Sequence, residues 1–282
     1  MEVFTLYVGQ GSLQVLRSES EVVIVDSKIP SQNEPNAVFV KSALAEICAG
    51  RDVVGLILTG YDADHADPRG MRWILGKYAP DWIMYPTYFK ETKNAAAVFR
   101  AIRKAEAARA ESERPLETHS IRLDRVDDRA YGNLADDFDF EIFSPHPEDM
   151  SSSNNCSLVV RVTSPGIIWP FSYLVTGDTE VDRWERIVDI FGHALQSDIL
   201  AAPHHGSSNG MNEEALECIS PKVVLISAGE DNQYEHPHDD AWRLYEAHAE
   251  QVHSTHEGES LHTCYSYWDG YHTEVWNVGV GA

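Results

Sequence analysis

The first part of the chain alternates apolar and polar positions in the way that short β-strands do. Residues 3–8, 12–17 and 21–26 each follow this pattern, and only short polar turns separate them. They predict three consecutive strands that form a β-meander. Residues 37–48 carry apolar side chains at helical spacing and are soon followed by a glycine, so they predict a helix.

Strands and helices then follow one another along the rest of the chain. Residues 56–58 are a short apolar run typical of a buried strand, residues 70–77 predict a helix behind it, and residues 82–85 predict the next strand. Further apolar runs predict strands at residues 121–125, 138–143, 156–162, 173–175, 199–201, 223–227 and 264–278. This order indicates a layered α/β protein, and the lack of a repeat or linker favours one domain over residues 1–282.

Residues 92–114 have the strongest helical composition in the chain, rich in Ala, Arg, Lys and Glu. Their mixed charges predict an exposed helical insertion, around residues 90–114, that packs through one narrow stripe and carries no chemistry. The alternative is that Arg100, Arg103 and Lys104 grip an anionic substrate.

Four of the predicted strands end in, or lead to, side chains of the kinds that bind metals. The carboxyl ends of strands meet at one edge in layered α/β proteins, so these side chains can converge in one cleft. Unpaired carboxylates at short range repel one another, whereas a divalent cation such as Zn²⁺ or Mn²⁺ makes the same cluster favourable. The residues are Asp62, Asp64, His65, Asp178, His204, His205, His236 and His238.

Composition limits the classes of partner. The 282 residues include 22 Lys and Arg against 45 Asp and Glu, a formal charge of −23 that disfavours tight non-specific binding to nucleic acid. A bound metal could still focus a positive field locally. The four cysteines lie far apart, as expected for reduced thiols in a cytoplasmic protein. No signal peptide or membrane-spanning run is predicted, so we expect no membrane partner.

Six short motifs, in order, resemble the metallo-β-lactamase fold, and specifically the ComEC-like branch found in competence-related DNA-uptake proteins. The first two are Val-Gly-Gln-Gly at residues 8–11, followed by Val-Ile-Val-Asp at 23–26, and Leu-Thr-Gly-Tyr-Asp-Ala-Asp-His at 58–65. The others are Asn-Asn-Cys-Ser-Leu-Val at 154–159, Thr-Gly-Asp at 176–178, His-His-Gly-Ser at 204–207 and Asn-Gln-Tyr-Glu-His-Pro-His at 232–238. The resemblance covers almost the whole chain.

The resemblance implies an αββα sandwich with a metal site at one edge of the two sheets. Carried over by position, Asp64, His65, Asp178 and the first histidine of the pair, His204, would hold one metal. Asp178 would bridge toward a second site, to which Asp62 would contribute. Asp64 would also serve catalysis, and His205 or the loop with His236 and His238 would contact the substrate as proton donor or phosphate ligand.

One departure from the motif bears on function. Gly60 stands where the family usually has histidine, which predicts one well-formed metal position and one defective one. The leading hypothesis is a metal-dependent hydrolase, a phosphodiesterase or nuclease that uses a metal-activated water on a phosphodiester or nucleotide. The alternative is a degenerate subunit with weak or no metal binding that serves as a binding partner or scaffold for another protein.

Overall fold

Two mixed β-sheets and six α-helices make up the part of the chain that this computed structural model describes, residues 1–34, 36–88, 90–149, 152–165 and 170–277. Residue 278, the end of the last predicted strand, lies outside these ranges. The strands are β1 (Glu2–Thr5), β2 (Gln14–Arg17), β3 (Glu21–Val25), β4 (Asp52–Ile57), β5 (Trp82–Pro86), β6 (Glu117–Ile121), β7 (Ala130–Tyr131), β8 (Asp139–Ser144), β9 (Val159–Ser164), β10 (Phe171–Val175), β11 (Ile199–Ala201), β12 (Val223–Ile226), β13 (Gln251–Ser254), β14 (Leu261–Ser266) and β15 (Gly270–Val275). The helices are α1 (Ala37–Ile47), α2 (Pro68–Lys77), α3 (Lys93–Arg109), α4 (Val181–Phe191), α5 (Glu213–Ile219) and α6 (Asp239–His248).

Each sheet contains a parallel half, and these halves position the strand ends. The first sheet has the order β15-β14-β1-β2-β3-β4-β5-β6, with the predicted meander β1–β3 antiparallel and β3 to β6 parallel. The second has the order β13-β12-β11-β10-β9-β8-β7, with β10 to β13 parallel. The carboxyl ends of the parallel strands of one sheet therefore lie at one edge of that sheet.

Three buried apolar clusters define the layers. Strand β3 contributes side chains to two of these clusters. Val22 and Ile24 face the cluster that includes Leu44 of α1. The intervening Val23 and Val25 face a second cluster, which contains side chains from both sheets. The third cluster joins the second sheet to α4, α5 and α6. The layering is therefore helices, sheet, sheet, helices, which confirms the predicted αββα sandwich.

The predicted helical insertion is α3, which connects the parallel strands β5 and β6. Val98 and Ile102 are buried in the same apolar cluster as α1, so α3 is an integral part of its layer and more than an appended, solvated helix. The pattern analysis did not predict α5 or β13, although Leu216 and Ile219 of α5 are fully buried. The single-domain organisation of residues 1–282 stays a prediction. Each helix in the described part of the chain is too short or too polar to span a bilayer.

Candidate metal centre

Four strands from the two sheets deliver polar side chains to one shared edge. In the first sheet, β3 is followed directly by Asp26, and β4 leads into the loop with Asp64 and His65. In the second sheet, β10 leads to Asp178, and β11 leads to His205. The strands themselves are buried apolar segments, so the first polar residues beyond them are held on a rigid support.

Asp64, His65, Asp178 and His205 form one cluster, each offering a ligand atom within 4.8 Å of the others. His65 Nε2 lies 2.8 Å from Asp178 Oδ1. His205 Nε2 lies 3.6 Å from Asp178 Oδ1 and 3.7 Å from Asp64 Oδ2. Two imidazole nitrogens and two carboxylates are a donor set that suits a divalent metal cation.

The Nδ1 atom of each histidine in the cluster forms a hydrogen bond on the side of the ring away from the cluster. His65 Nδ1 donates to Asp26 Oδ2 over 2.8 Å, and Asp26 also accepts from the Thr59 amide and hydroxyl. His205 Nδ1 must carry its proton, because it faces the Ser227 carbonyl oxygen at 2.7 Å. Both Nε2 atoms therefore turn toward the cluster, the arrangement that orients histidine ligands in metal sites.

His205 Nε2 supplies the test of whether a metal fits. The atom is buried, and it has no hydrogen-bond partner among the residues that the structure describes. A buried polar atom without a partner is costly, and here it faces two carboxylates across more than 3.5 Å. A cation between these groups would satisfy all three, so the residues present fit a metal.

The structure brings His205 into this cluster, where His204 had been expected, and so corrects the choice between the two. Both residues have left-handed backbone angles, φ 50° for His204 and φ 56° for His205, which send successive side chains in different directions. The His205 side chain turns inward and is 4% exposed. The His204 side chain is 22% exposed, and its Nδ1 lies 3.6 Å from Glu180 Oε1 at the rim. Residue order alone could not distinguish them.

Opposite charges shift the pKa values of all four groups. Burial acts to raise the carboxyl pKa values, yet the charge of His65 brings the pKa of Asp178 to about 2. Burial is likewise outweighed at Asp64, where His205 and His65 hold the pKa well below its usual range. Burial acts to lower the pKa of each histidine, but Asp178 and Asp26 raise the pKa of His65, and Asp64 and Asp178 raise that of His205. The cluster attracts positive charge.

Comparison with known proteins supports this architecture. No sequence profile of a known family matches the chain. A metallo hydrolase of the archaeon Ignicoccus hospitalis, Igni18, superposes with a TM-score of 0.53 over 94% of this chain and 100% of its own, at 12% identity. At that identity the likeness shows the fold alone, and it agrees with the two sheets and the two helical layers. The chain has the metallo-β-lactamase fold.

Sequence relatives cover a smaller part of the chain. ComE operon protein 3 of Bacillus subtilis is 34% identical over 116 residues, which are 41% of this chain and 14% of that protein. Competence protein ComA of Neisseria gonorrhoeae is 33% identical over 113 residues, 40% of this chain and 16% of the relative. The chain thus matches only a small part of each relative's length, and the chain resembles these competence proteins within that part.

Asp62 lies outside the cluster, contrary to the expectation that it joins a second metal position of this metallo-β-lactamase fold. Its carboxylate is 40% exposed and forms an ion pair with Lys90, whose ammonium lies 2.5 Å from Asp62 Oδ2. Lys90 also donates to Ser153 Oγ over 3.0 Å. Among the described residues, apart from its chain neighbours, the atom nearest to a Cβ added at Gly60 is Tyr88 Oη, at 3.8 Å. A lysine cation thus neutralises the carboxylate that was expected to bind the second metal.

Of the two histidines in the loop before α6, His236 is nearer to the cluster. Its ring centroid lies 6.2 Å from that of His205 and 5.8 Å from that of His204. Burial, and then the charge of His205, lower the pKa of His236 to about 4. His238 Nδ1 instead accepts from the Ser208 amide, and its Nε2 faces the Tyr234 carbonyl, so both nitrogens hold the loop.

Several residues that support the ligands were not identified as such from the pattern. Asp26 and Ser227 orient the two histidines, and Ser157 Oγ accepts the Asp178 amide over 3.0 Å. The Ser12 amide donates to the Asp64 carbonyl, and Gly11 beside it has no room for a Cβ, which would lie 2.6 Å from that oxygen. Asp26 and Ser227 share one signal: each is the first polar residue after a buried strand.

Proposed function

We propose that this protein is a metal-dependent hydrolase whose substrate is a phosphodiester. The observation that carries the proposal is the convergence of four ligand groups, in which hydrogen bonds also fix the orientation of both histidines. His65 Nδ1 bonds to Asp26, and His205 Nδ1 bonds to the Ser227 carbonyl. Such preorganisation has no structural use in a cluster that only buries charge, but it is what a metal site requires. Zinc and manganese are the cations that we propose for it.

A divalent cation in such a site supplies Lewis-acid stabilisation of phosphoryl charge and makes water a nucleophile at neutral pH. Side chains of the protein orient the water and bind the substrate. Asp64, whose side chain is 30% exposed against 11% for Asp178, faces the open side and orients the attacking water through its carboxylate. His236, whose ring centroid lies 6.2 Å from that of His205, donates a hydrogen bond to the substrate's phosphoryl or leaving oxygen, while His238 keeps the loop in place.

Two features support a phosphodiester over other esters. The Lys90 ammonium cancels the charge of the Asp62 carboxylate in the loop that carries Asp64 and His65, and so removes a negative charge that would repel an anion beside the cluster. An anionic phosphodiester benefits from that neutralisation, whereas a neutral ester or lactone gains nothing from it. The partial likeness to competence proteins is consistent with a substrate related to nucleic acid.

Metal content and turnover of bis(p-nitrophenyl) phosphate test the proposal together. We expect the wild-type protein to contain zinc or manganese and to hydrolyse this substrate, and we expect Asp178→Asn to lose both. Asp189→Asn is the matched control, because Asp189 is an exposed carboxylate on α4 away from the cluster. Metal-free wild-type protein that stays metal-free after incubation with either ion would refute the proposal.

A second candidate function has one observation in its favour. Because Lys90 pairs with the Asp62 carboxylate and Gly60 brings no ligand, these two positions do not build the second metal position expected beside the cluster. A non-catalytic subunit that binds a protein partner would tolerate this loss. The same measurements separate the two functions, because such a subunit would show no turnover with either metal even at full occupancy.

A further inference from the structure

Helix α3 carries a concentration of positive charge in a strongly acidic protein. It contains five basic residues and one acidic residue, whereas the whole chain has a formal charge of −23. Four of the basic residues lie on the exposed face and, within the described ranges, form no ion pair: Lys93, Arg100, Arg103 and Lys104. These four positive charges on one helix face of a strongly acidic protein create a local positive potential that attracts anions.

This helix face is joined to the loop of the metal cluster. Asn94, in the first turn of α3, donates to the carbonyls of Tyr61 and Ala66 over 3.0 and 2.8 Å, which brackets the segment with Asp64 and His65. The Tyr61 ring also packs on Phe99, with centroids 5.0 Å apart. The position of α3 relative to the cluster is therefore set by buried contacts.

A surface groove of about 680 Å³ runs along this face of α3. Its walls include Lys90, Lys93, Phe99, Arg100 and Arg103. Lys90 is the residue that pairs with Asp62, two positions before Asp64, so one end of the groove adjoins the loop that supplies the ligands. Four basic side chains and one acidic side chain, Glu91, line the groove together with the small Ala96 and the aromatic Phe99.

We propose that the α3 groove binds the sugar–phosphate backbone of a single-stranded nucleic acid whose scissile phosphate lies at the metal cluster. This inference rests on the proposed function and adds that the substrate is an extended strand, in preference to a mononucleotide. Lys93 and Lys104 are 11 positions apart, so they span roughly 16 Å of the helix. That length matches several successive phosphates, and the partly exposed Phe99 ring offers a surface for a base.

Binding of a strand that resists hydrolysis tests the groove on the intact protein. The probe is a fluorescein-labelled phosphorothioate oligothymidylate of about 12 nucleotides, followed by anisotropy. We expect Arg100→Gln/Arg103→Gln/Lys104→Gln to weaken binding at least about tenfold. The slope of log K against log[salt] should fall by about 2, because each lost phosphate contact on a single strand contributes roughly 0.7.

The control makes the same change of charge elsewhere. In Arg125→Gln/Arg186→Gln/Arg243→Gln the three arginines are exposed and lie outside α3, so this variant should bind the strand as the wild type does. Equal weakening in both variants would overturn the proposal, and so would displacement of the strand by polyglutamate as effectively as by unlabelled oligonucleotide.

Turnover of bis(p-nitrophenyl) phosphate separates this inference from the function on which it rests. That substrate is too small to reach along α3, so the triple α3 variant should hydrolyse it at the wild-type rate. A parallel loss of small-substrate turnover would overturn the groove as a separate binding surface. No turnover by metal-loaded wild-type protein, together with selective loss of strand binding in the α3 variant, would refute the hydrolase and retain the groove.

Discussion

Asp26→Asn tests whether residues that form hydrogen bonds to the histidine ligands determine the affinity of the site for metal. The Asp26 carboxylate is buried and accepts three hydrogen bonds, from the Thr59 amide at 2.8 Å, the Thr59 hydroxyl at 2.9 Å and His65 Nδ1 at 2.8 Å. Asparagine has the same shape and also tolerates the left-handed backbone of this residue, where φ is 61°. It offers only one acceptor oxygen, however.

The protonation of His65 in this variant depends on whether the asparagine oxygen or its NH₂ group faces His65 Nδ1. If the asparagine oxygen stays with Thr59, its NH₂ group faces His65 Nδ1, which must then give up its proton and accept. The proton moves to Nε2, the atom that lies 2.8 Å from Asp178 and faces the cluster. Loss of such a supporting contact typically lowers metal affinity 10- to 100-fold, or about 1.4 to 3 kcal/mol of binding free energy.

Competition with a chromophoric zinc chelator at neutral pH measures this effect directly. We expect the dissociation constant of Asp26→Asn to rise by the stated factor, while Asp189→Asn binds zinc as the wild type does. Circular dichroism of the metal-saturated proteins checks that both variants are folded. An affinity of Asp26→Asn within about twofold of the wild type would refute the role that we assign to Asp26.

Three further predictions concern the choice of histidine ligand, the close backbone approach at Gly11 and the ion pairs of Glu2. His205→Ala should lose bound metal, whereas His204→Ala should keep it, and elemental analysis of the two purified variants would contradict the geometry if the results were reversed. Gly11→Ala should lower the free energy of unfolding by about 2 kcal/mol or more, because a Cβ there would lie 2.6 Å from the Asp64 carbonyl at φ 140°; urea denaturation measures this, and an unchanged midpoint would count against it. Glu2→Gln should cost about 1 kcal/mol at neutral pH, after allowance for solvent screening. Although burial acts to raise it, a neighbouring histidine and arginine lower the pKa of Glu2 from 4.5 to about 2, so this contribution is present above pH 4.5 and lost as the pH falls toward 2. Denaturation of both proteins across that range should therefore converge at low pH, and a constant difference would refute the assignment.

Much of the fold could be read from hydrophobic periodicity. Strand β3 has alternate residues in two different cores, which is the origin of its continuous apolar run, and the order of strands and helices predicted the layered class. Elements whose pattern is weak were missed. Helix α5 is only seven residues long, and β13 is partly exposed along its length, so neither produces enough periodic signal to be distinguished from a loop.

At the site, the sequence by itself determined which residue types are available and that they follow buried strands. Asp64, His65 and Asp178 could be selected because each lies a short distance beyond such a strand. Tertiary structure alone decided between His204 and His205, since both occupy the same loop and only the backbone angles direct one inward. It also decided that Asp62 pairs with Lys90, 28 residues away, and that Asp26 supports His65, 39 residues away. The physical reason is that periodicity reports which side of an element is buried, whereas the partner of a polar group depends on chain segments that meet only in the folded protein.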